Sequence, residues 1–223
     1  MSATGVGRFP RPYGRIPNFV GAEAAARRLA ETAEWQAAAT VKANPDSPQW
    51  PVRQRALEDG KTVYMAVPRL AEERPFFLLD PAQLADSPRA ASSIKGASRS
   101  ARTVDLDQLQ PVDLVVAGCV AVGEDGARLG KGGGFSDLEF AVASAAGLIG
   151  PATVIATTVH ERQVLPAERI PTTAHDAWVD LIVTPERVIR APAHRHAGQI
   201  DWDELTDEKI LAIPLLVRLR ESR

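Results

Sequence analysis

Short apolar runs alternate with longer segments of helical character along most of this chain. Strands are predicted at 35–41, 62–67, 75–79, 112–118, 152–160 and 179–184, with a hairpin-like return at 187–190. Helices are predicted at 22–32, 51–57 and 136–149, with a short one beginning at 80–81 and one in the tail ending near residue 213. Apolar runs of a few residues that alternate with helices are typical of strands buried on both faces. The pattern therefore predicts an α/β fold with a mainly parallel sheet.

Two polar stretches interrupt this pattern. Residues 1–20 hold closely spaced prolines, glycines and arginines, which exclude a helix and predict an extended Pro- and Arg-rich arm. Arg15 is followed by two apolar residues, Ile16 and Phe19, which would anchor the arm and could bring Arg15 to a site. Residues 86–102, rich in Ser with interspersed Lys and Arg, are interpreted as a solvated surface loop.

Composition narrows the class of protein. The chain has 223 residues, of which 45% are hydrophobic, so residues 21–223 are expected to form a single domain with its own core. A net charge of −2 gives no electrostatic footprint for nucleic acid. The single cysteine, Cys119, excludes an intrachain disulfide and is interpreted as a small core residue. No apolar run approaches the ~18 residues of a membrane span. We expect a cytoplasmic protein, a monomer or weak homodimer, whose partner is a small molecule rather than a nucleic acid or a membrane.

A glycine-rich segment from Ala127 to Glu139 is the most informative stretch. It lies between the strand at 112–118 and the helix at 136–149, and holds four of the 16 glycines. Glycines let backbone N–H groups approach an anion, and a helix N-terminus adds about half a positive charge. The spacing matches neither a P-loop nor a Rossmann fingerprint. Arg128 and Lys131 favour a phosphate, so the segment predicts an anion cradle.

Acidic residues near this cradle suggest a metal ion. Ser136 and Glu139 have the spacing of a capping box, which would place Asp137 in the first turn of the helix. Asp137 is then either a partner of the helix dipole or a ligand for a metal held beside phosphates. Asp176, in a Pro/Thr-rich loop before a strand, would be the second carboxylate if the two loops meet at one edge of the sheet.

These segments together resemble the 5-formyltetrahydrofolate cyclo-ligase family. The resemblance rests on Asp113-Leu-Val-Val, the run from Glu124 to Asp137, His175-Asp176, and the run from Asp180 to Pro185. It implies one three-layer α/β/α domain that uses ATP and Mg²⁺. It also implies closure of 5-formyltetrahydrofolate to 5,10-methenyltetrahydrofolate through a phosphorylated formyl oxygen.

The resemblance also assigns roles to residues. Those implied to bind the nucleotide are Arg15, Arg128, Leu129, Gly130, Lys131, Gly132, Gly133, Gly134, Phe135, Ser136 and Asp137. Arg128 and Lys131 would be catalytic, because they neutralise the transferred phosphate, and Asp137 and Asp176 would hold the metal. Arg69, Trp50 and Phe135 are predicted to contact the second substrate, a reduced folate or a related metabolite. Arg69 follows a strand and a proline, a position that suits either a substrate anion or the surface.

Three departures from the family pattern concern the folate half of the site. Ser136 stands where a second aromatic residue is usual, and the segment 44–50 stands where a folate-contacting Glu is usual. Arg15 is the only stand-in for the usual N-terminal cations. These features resemble a divergent branch that includes methenyltetrahydrofolate synthetase domain-containing proteins. Three hypotheses follow: a cyclo-ligase, a nucleotide-dependent paralogue acting on another small molecule such as a thiamine-related metabolite, and a binding protein without activity.

Overall fold

The computed structural model describes residues 1, 5–10, 13–132, 135–173, 176–192, 200–203 and 205–221, with the side chains of Arg69 and Phe135 excepted. The strands are β1 (Thr40–Ala43), β2 (Thr62–Ala66), β3 (Phe76–Leu79), β4 (Arg102–Val104), β5 (Leu114–Val116), β6 (Ala121–Gly123), β7 (Arg128–Leu129), β8 (Val154–Thr158), β9 (Val164–Leu165), β10 (Leu181–Val183) and β11 (Val188–Arg190). The helices are α1 (Ala22–Ala30), α2 (Ala33–Ala37), α3 (Trp50–Glu58), α4 (Pro88–Ala91), α5 (Ile94–Ser100), α6 (Phe135–Ala145), α7 (Asp207–Leu211) and α8 (Pro214–Glu221).

An eight-stranded sheet with the order β11-β10-β8-β5-β1-β2-β3-β4 forms the centre of the fold. The inner strands β10, β8, β5, β1 and β2 are mutually parallel, while β11 and β3 pair antiparallel at either side. Alternate residues of each strand point to opposite faces, as β5 shows. Leu114 and Val116 pack in one cluster with α1, α3, α4 and α5, whereas Val115 packs with α6 on the other face. The predicted α/β class with a mainly parallel sheet is confirmed, and it has three layers.

The chain reverses its direction of travel across the sheet between β1 and β5. From β1 it proceeds through β2, β3 and β4 to one edge, and it then returns to β5 on the other side of β1. The two strands stay paired to their carboxyl ends, where Asn44 N donates to Val116 O at 3.1 Å. In open α/β sheets the crevice beyond such a reversal is the usual place for a ligand.

A second, three-stranded sheet carries the glycine-rich segment. Its order is β7-β6-β9, and β6 and β7 form an antiparallel hairpin between β5 and α6. Gly126 lies in the turn of this hairpin with φ of 95°, a backbone conformation that favours glycine. The glycine-rich segment therefore does not run directly from the strand at 112–118 into the helix, and a hairpin delivers it to the sheet edge.

The N-terminal segment folds back on itself instead of extending away. Gly7 and Phe19 form an antiparallel bridge, and Arg8 N donates to Asn18 O at 3.0 Å. Ile16 and Phe19 are buried, in agreement with the expected anchoring of this segment. The described residues of this segment, 5–10 and 13–20, thus belong to a loop with a fixed base, which we call the N-terminal loop.

Several predicted elements are wrong in type or length. The run 35–41 is not one strand, because the Thr32 hydroxyl accepts from Trp35 N at 3.3 Å and starts α2. A turn, in which Asp80 accepts from Ala82 N, replaces the short helix expected at 80–81. The helix expected to reach residue 149 ends at Ala145, and α8 was not predicted.

Residues 86–102 are ordered secondary structure rather than a solvated loop. They form α4, α5 and the start of β4, and the hydroxyls of Ser87 and Ser93 cap the two helices. Ala91 and Ala97 are fully buried in the core beneath them. Small residues on the inner faces of these helices left only a weak apolar signal in the sequence.

Candidate functional site

A cavity of about 720 Å³ opens at the carboxyl ends of β1, β2 and β5, where the sheet order reverses. Its walls come from the N-terminal loop, the segment after β1, the glycine-rich segment and the loop after β9, together with Pro68 after β2 and Ile94 at the start of α5. The residues predicted from the sequence that line it are Arg15, Arg128, Leu129, Gly130, Lys131, Gly132, Ser136, Asp137 and Asp176. Segments more than 100 positions apart in the sequence thus meet at one site.

The remaining predicted residues are placed differently. Gly133 and Gly134 lie outside the described residues, as do the side chains of Arg69 and Phe135. Trp50 is not among the residues that line the cavity. Its indole N–H donates to Arg89 O at 3.1 Å, and the Arg89 guanidinium lies 4.9 Å from the ring centroid. In this arrangement Trp50 attaches α4 to the start of α3 instead of facing a ligand.

Arg128 is buried and its donors are directed at the protein. Its guanidinium donates to the carbonyl of Gly118 at 3.1 Å and to that of Ala177 at 3.5 Å. The remaining Nη atom pairs with the carboxylate of Asp137. The Arg128 side chain is only 2% exposed. It therefore acts on the cavity mainly by holding the carboxylate of Asp137. Arg128 therefore sets the position of an acidic group that lines the cavity.

Lys131 and Arg15 are the more accessible cations. Lys131 is 45% exposed and lies 3.6 Å from Asp46, a distance too long for a good hydrogen bond. Arg15 is exposed and makes no hydrogen bond or ion pair with any residue in the described part of the chain. The backbone at Gly132 has φ of 88°, which turns the chain beside Lys131. Both side chains can move toward an anion without breaking a strong contact.

The predicted capping box does not form. Ser136 lies inside α6 and its hydroxyl accepts from Asn44 Nδ2 at 3.0 Å. Glu139 is buried and accepts a hydrogen bond of 2.9 Å from the ammonium group of Lys42 on β1. These two contacts join α6 to the central strand below the cavity.

Sequence reasoning missed Lys42 and Glu139 as a pair. A signal existed, because Lys42 is a charged residue inside an apolar strand, and such a residue needs a buried partner. The partner lies 97 positions away, so the sequence alone could not identify it.

Arg53 holds the loop after β1 in place. It is fully buried on α3 and donates to the carbonyl oxygens of Asn44, Pro45, Asp46 and Ser92. Burial lowers the pKa of Arg53, and the charge of Asp46 partly opposes that shift. A planar fork of donors can bind several carbonyls at once, which an ammonium group cannot reproduce. Arg53 therefore fixes the positions from which Asn44 and Asp46 face the cavity.

Gly118 lets Asp46 and the N-terminal loop approach the end of β5. A Cβ atom here would lie 2.9 Å from Gln49 Oε1, 3.2 Å from Asp46 Oδ2 and 3.2 Å from Ile16 Cγ2. The Gln49 oxygen is buried and has no hydrogen-bond partner in the described structure. No other residue type fits at position 118 without moving one of these groups.

The carboxylates of the cavity suit a divalent cation that arrives with a polyphosphate. Asp46, Asp137 and Asp176 all line the cavity. Within the described ranges no three His, Cys, Asp or Glu side chains are grouped closely enough to hold a metal alone. Mg²⁺ generally keeps several waters and takes only one or two carboxylates plus phosphate oxygens, so the donor set fits that ion. Asp176 Oδ2 accepts from Thr173 N at 2.6 Å, which orients it.

Cys119 has no role at the cavity. Its thiol is buried in the core and lies 3.3 Å from the hydroxyl of Thr157. Burial raises the pKa of this thiol to about 11. The expectation of a small core residue is confirmed. Among the described helices, none combines the length and apolar character needed to span a bilayer.

The fold and the cavity define a class of protein: a three-layer α/β protein in which a glycine-rich segment lines a cavity at the reversal point of the sheet. A sequence model of the 5-formyltetrahydrofolate cyclo-ligase family matches residues 11–185. This chain belongs to that family.

Known relatives support the same assignment. The chain is 39% identical over 225 residues to the methenyltetrahydrofolate synthase domain-containing protein of Mus musculus, and 38% identical over 226 residues to that of Bos taurus. These alignments cover 99% and 100% of this chain but only 60% and 59% of the relatives, so it spans about three fifths of their length. Among solved structures, the 5,10-methenyltetrahydrofolate synthetase of Aquifex aeolicus has a similar fold. The TM-score is 0.53 at 19% identity, over 82% of this chain and 87% of that one.

Proposed function

We propose that this chain is an ATP- and Mg²⁺-dependent cyclo-ligase-like enzyme that forms 5,10-methenyltetrahydrofolate from 5-formyltetrahydrofolate. One observation carries the proposal: the glycine-rich segment, two accessible cations and three aspartates line one cavity at the reversal point of the sheet. Family membership supports ligase chemistry of this kind. The substrate and the cofactors are our inference for this chain.

Each charged residue has a role in the nucleotide half of this proposal. Lys131 and Arg15 neutralise phosphate oxygens, and the backbone around Gly132 donates to them. Arg128 orients Asp137 through their ion pair and places additional positive charge behind it. Asp137 and Asp176 hold Mg²⁺, which would screen the charge of the transferred phosphoryl group when it is bound.

The reaction requires the protein mainly to position the reacting groups and the phosphates. The formyl oxygen of the substrate attacks the γ-phosphorus of ATP, and ADP leaves. N10 then attacks the formyl carbon, and the C–O bond to the new phosphate breaks with release of inorganic phosphate. Both displacements need the reacting groups held in line and the phosphates neutralised. The lysine and the glycine backbone on one wall, and Arg15 on the other, can supply both functions.

One contact favours a second candidate, a paralogue that keeps the nucleotide and acts on another small molecule. Ser136 stands where the family usually has an aromatic residue, and its hydroxyl is held by Asn44, which follows β1. A polar pair therefore occupies a position where an aromatic ring would offer a stacking surface. A thiamine-related metabolite is the specific alternative.

A direct assay separates the two candidates. The purified protein is mixed with 5-formyltetrahydrofolate, ATP and Mg²⁺, and formation of the methenyl product is followed by its near-UV absorbance. Product that depends on both ATP and Mg²⁺ would support the cyclo-ligase. ATP binding without product would remove the first candidate and leave the second.

Two substitutions test the nucleotide half independently of the substrate. Lys131→Ala and Asp137→Asn are each expected to weaken ATP binding in the presence of Mg²⁺ by about tenfold or more, since a charge-assisted contact is lost in each. Lys209→Ala, on α7 and not among the cavity residues, is the charge-matched control. Unchanged ATP affinity in both site variants would show that the cradle is assigned wrongly.

A further inference from the structure

Two side-chain pairs join the end of β1 to α6 at the cavity. Lys42 and Asn44 are two positions apart along the strand direction, so they lie on the same face of the sheet. Ser136 and Glu139 are three positions apart on α6, so they are neighbours on one helix face. The lysine donates to the glutamate at 2.9 Å, and the asparagine donates to the serine at 3.0 Å. Asn44, Ser136 and Glu139 all line the cavity, and we call these three residues the polar floor.

Glu139 keeps one oxygen available to the cavity. Its side chain is only 6% exposed, and Oε2 accepts from Lys42. Oε1 accepts no hydrogen bond from a residue in the described ranges. The fully buried polar side-chain atoms that lack a partner in those ranges are Arg28 Nε and Gln49 Oε1, and Glu139 Oε1 is not among them. The second oxygen of Glu139 is therefore reached from the cavity that this residue lines.

Asn44 and Ser136 add unused hydrogen-bonding groups to the polar floor. Asn44 donates through Nδ2, and its Oδ1 accepts from no residue in the part of the chain that the structure describes. The Ser136 hydroxyl accepts from Asn44 and retains its own hydrogen for donation. Together with Glu139 Oε1, the polar floor offers two acceptors and one donor.

The buried ion pair has no evident purpose in stability. A buried pair of charges is often no more stabilising than a well-packed apolar pair of similar volume. The neighbours of Glu139 on α6, Leu138 and Phe140, are buried in apolar clusters, so an apolar residue would suit this part of the helix. A carboxylate that is held by Lys42 and has one accessible oxygen is instead suited to accept an N–H group from a ligand.

The remaining lining of the cavity suits a flat ring beside the polar floor. Its apolar part consists of Pro45, Pro68, Ile94, Leu129 and Pro171. A pyrimidine ring has apolar faces and carries its hydrogen-bonding groups on its edge. An exocyclic amino group can donate to a carboxylate oxygen, while a neighbouring ring nitrogen or oxo group can accept from a hydroxyl.

We propose that the polar floor is the specificity element for the second substrate, with Glu139 accepting from the exocyclic amino group of an aminopyrimidine ring. Asn44 and Ser136 bind the adjacent edge of that ring, and Lys42 is a positioning residue that orients the Glu139 carboxylate. The inference deepens the proposed function and rests on it for the nucleotide half of the site. Pterins and thiamine both carry such an amino group, and the test distinguishes them.

The test uses the full chain and two pairs of probes, titrated by calorimetry with the non-hydrolysable nucleotide AMP-PNP and Mg²⁺ present. One pair is 5-formyltetrahydrofolate and its 2-desamino-2-methyl analogue, and the other is thiamine and its 4′-desamino analogue. The wild type should bind the amino form of the recognised probe about tenfold or more tightly than the desamino form, as expected for a hydrogen bond to a charged group. Equal affinities within both pairs, or binding of neither amino form, would overturn the inference.

Protein variants assign this preference to the polar floor. Lys42→Met/Glu139→Leu leaves no isolated charge, so it should keep a urea midpoint near that of the wild type. It should nevertheless lose the preference for the amino form to within about twofold, which a purely structural pair would not change. Asp207→Leu/Arg220→Met is the matched control, since this exposed pair at 3.0 Å joins α7 to α8 and neither residue lines the cavity. A folded double variant of the buried pair that keeps the wild-type preference would overturn the inference.

A second variant decides the matter if the double variant does not fold. In Glu139→Gln the amide oxygen accepts from Lys42 and an N–H group is left toward the cavity, where it opposes the amino group of the ligand. The preference for the amino form should again be lost, and its retention would contradict the role of Glu139.

The product assay keeps this inference distinguishable from the proposed function. A preference for the amino form of thiamine, without cyclo-ligase product, would support the inference and remove the first proposed function. Cyclo-ligase product without any preference between the two folate forms would leave the proposed function in place and overturn the inference.

Discussion

The buried ion pair between Lys42 and Glu139 offers the sharpest test of how this site is built. The Lys42 ammonium and the Glu139 carboxylate are 2.9 Å apart, and their side chains are 4% and 6% exposed. With an effective dielectric constant of about 20, two charges at this distance attract by about 6 kcal/mol. Removing both charges from water costs several kcal/mol for each ion. The intact pair should therefore contribute little net stability, while either charge alone should be strongly unfavourable.

Single substitutions should expose this asymmetry. Lys42→Met leaves a carboxylate buried without its partner, and Glu139→Leu leaves an ammonium group in the same state. We expect each to lower the free energy of unfolding by about 3–5 kcal/mol. The double variant Lys42→Met/Glu139→Leu should recover most of that loss, because no isolated charge remains. Urea denaturation followed by circular dichroism measures all four proteins, and the cycle gives the coupling energy.

An exposed pair of the same length is the matched control. Arg8 and Glu23 are also 2.9 Å apart, but their side chains are 47% and 55% exposed. The same cycle there should give a coupling of no more than about 1 kcal/mol. The reasoning fails if the buried singles cost less than about 1 kcal/mol, or if the double variant is as unstable as the sum of the singles.

Three further predictions concern single positions. Burial alone would raise the pKa of Asp113, but hydrogen bonds from the start of β1 outweigh it and hold the pKa below its usual value. The stability that the Asp113 carboxylate contributes is therefore fully present above its pKa in the unfolded chain, and it is lost as the pH falls through the lower pKa of the folded state. Asp113→Asn should lower the free energy of unfolding by about 1 kcal/mol at pH 7. Below about pH 4 the urea midpoint of the variant should fall less than that of the wild type. Equal falls in the two proteins would contradict this. Cys119, whose pKa burial raises to about 11, should resist iodoacetamide at neutral pH until urea unfolds the protein, and fast native labelling would disprove its burial. Gly118→Ala should destabilise the fold by about 1–3 kcal/mol, because the new methyl would meet Gln49 Oε1 at 2.9 Å. Gly150→Ala, where nothing lies within 4 Å, is the neutral control, and equal urea midpoints for the two variants would contradict the crowding.

The buried parallel strands were predictable because burial on both faces restricts the residue types that they can contain. A strand covered on both faces must be apolar at every position, and the runs at 62–67 and 112–118 contain β2 and β5 for this reason. The run at 112–118 was overestimated in length, because apolar residues are also buried just beyond both ends of the paired segment. Val112, before β5, and Ala117, after it, are buried in this way without belonging to β5.

Elements governed by small residues and local caps could not be predicted in the same way. Ala91 and Ala97 bury very little area, so the inner faces of α4 and α5 look polar in the sequence. The run that begins at Trp35 was predicted as a strand. One hydrogen bond from Trp35 N to Thr32 and the donation from its indole to Asp59 at 2.9 Å instead hold Trp35 on a short helix. Such contacts are formed between particular atoms and leave no periodic pattern.

The glycine-rich segment was predicted to line a binding site, and it does line the cavity, but the contacts of its charged residues were not predictable. Arg128 and Lys131 look equivalent in sequence, each a cation beside glycines. The structure separates them, because the carbonyls of Gly118 and Ala177 capture Arg128 from two distant parts of the chain. Among the residues that the structure describes, the ion-pair partner of Lys131 is Asp46, at 3.6 Å. Which cation stays accessible is decided by tertiary contacts.

The difference between the buried Arg128 and the accessible Lys131 has a consequence for ligand binding. Since Arg128 is engaged by Asp137, the accessible positive charge comes from Lys131 on the glycine-rich segment and Arg15 on the N-terminal loop. An anion that binds both must contact two segments that are far apart in the sequence but line the same cavity. We therefore expect bound ATP, in the proposed cyclo-ligase, to contact both segments at once and to hold them together.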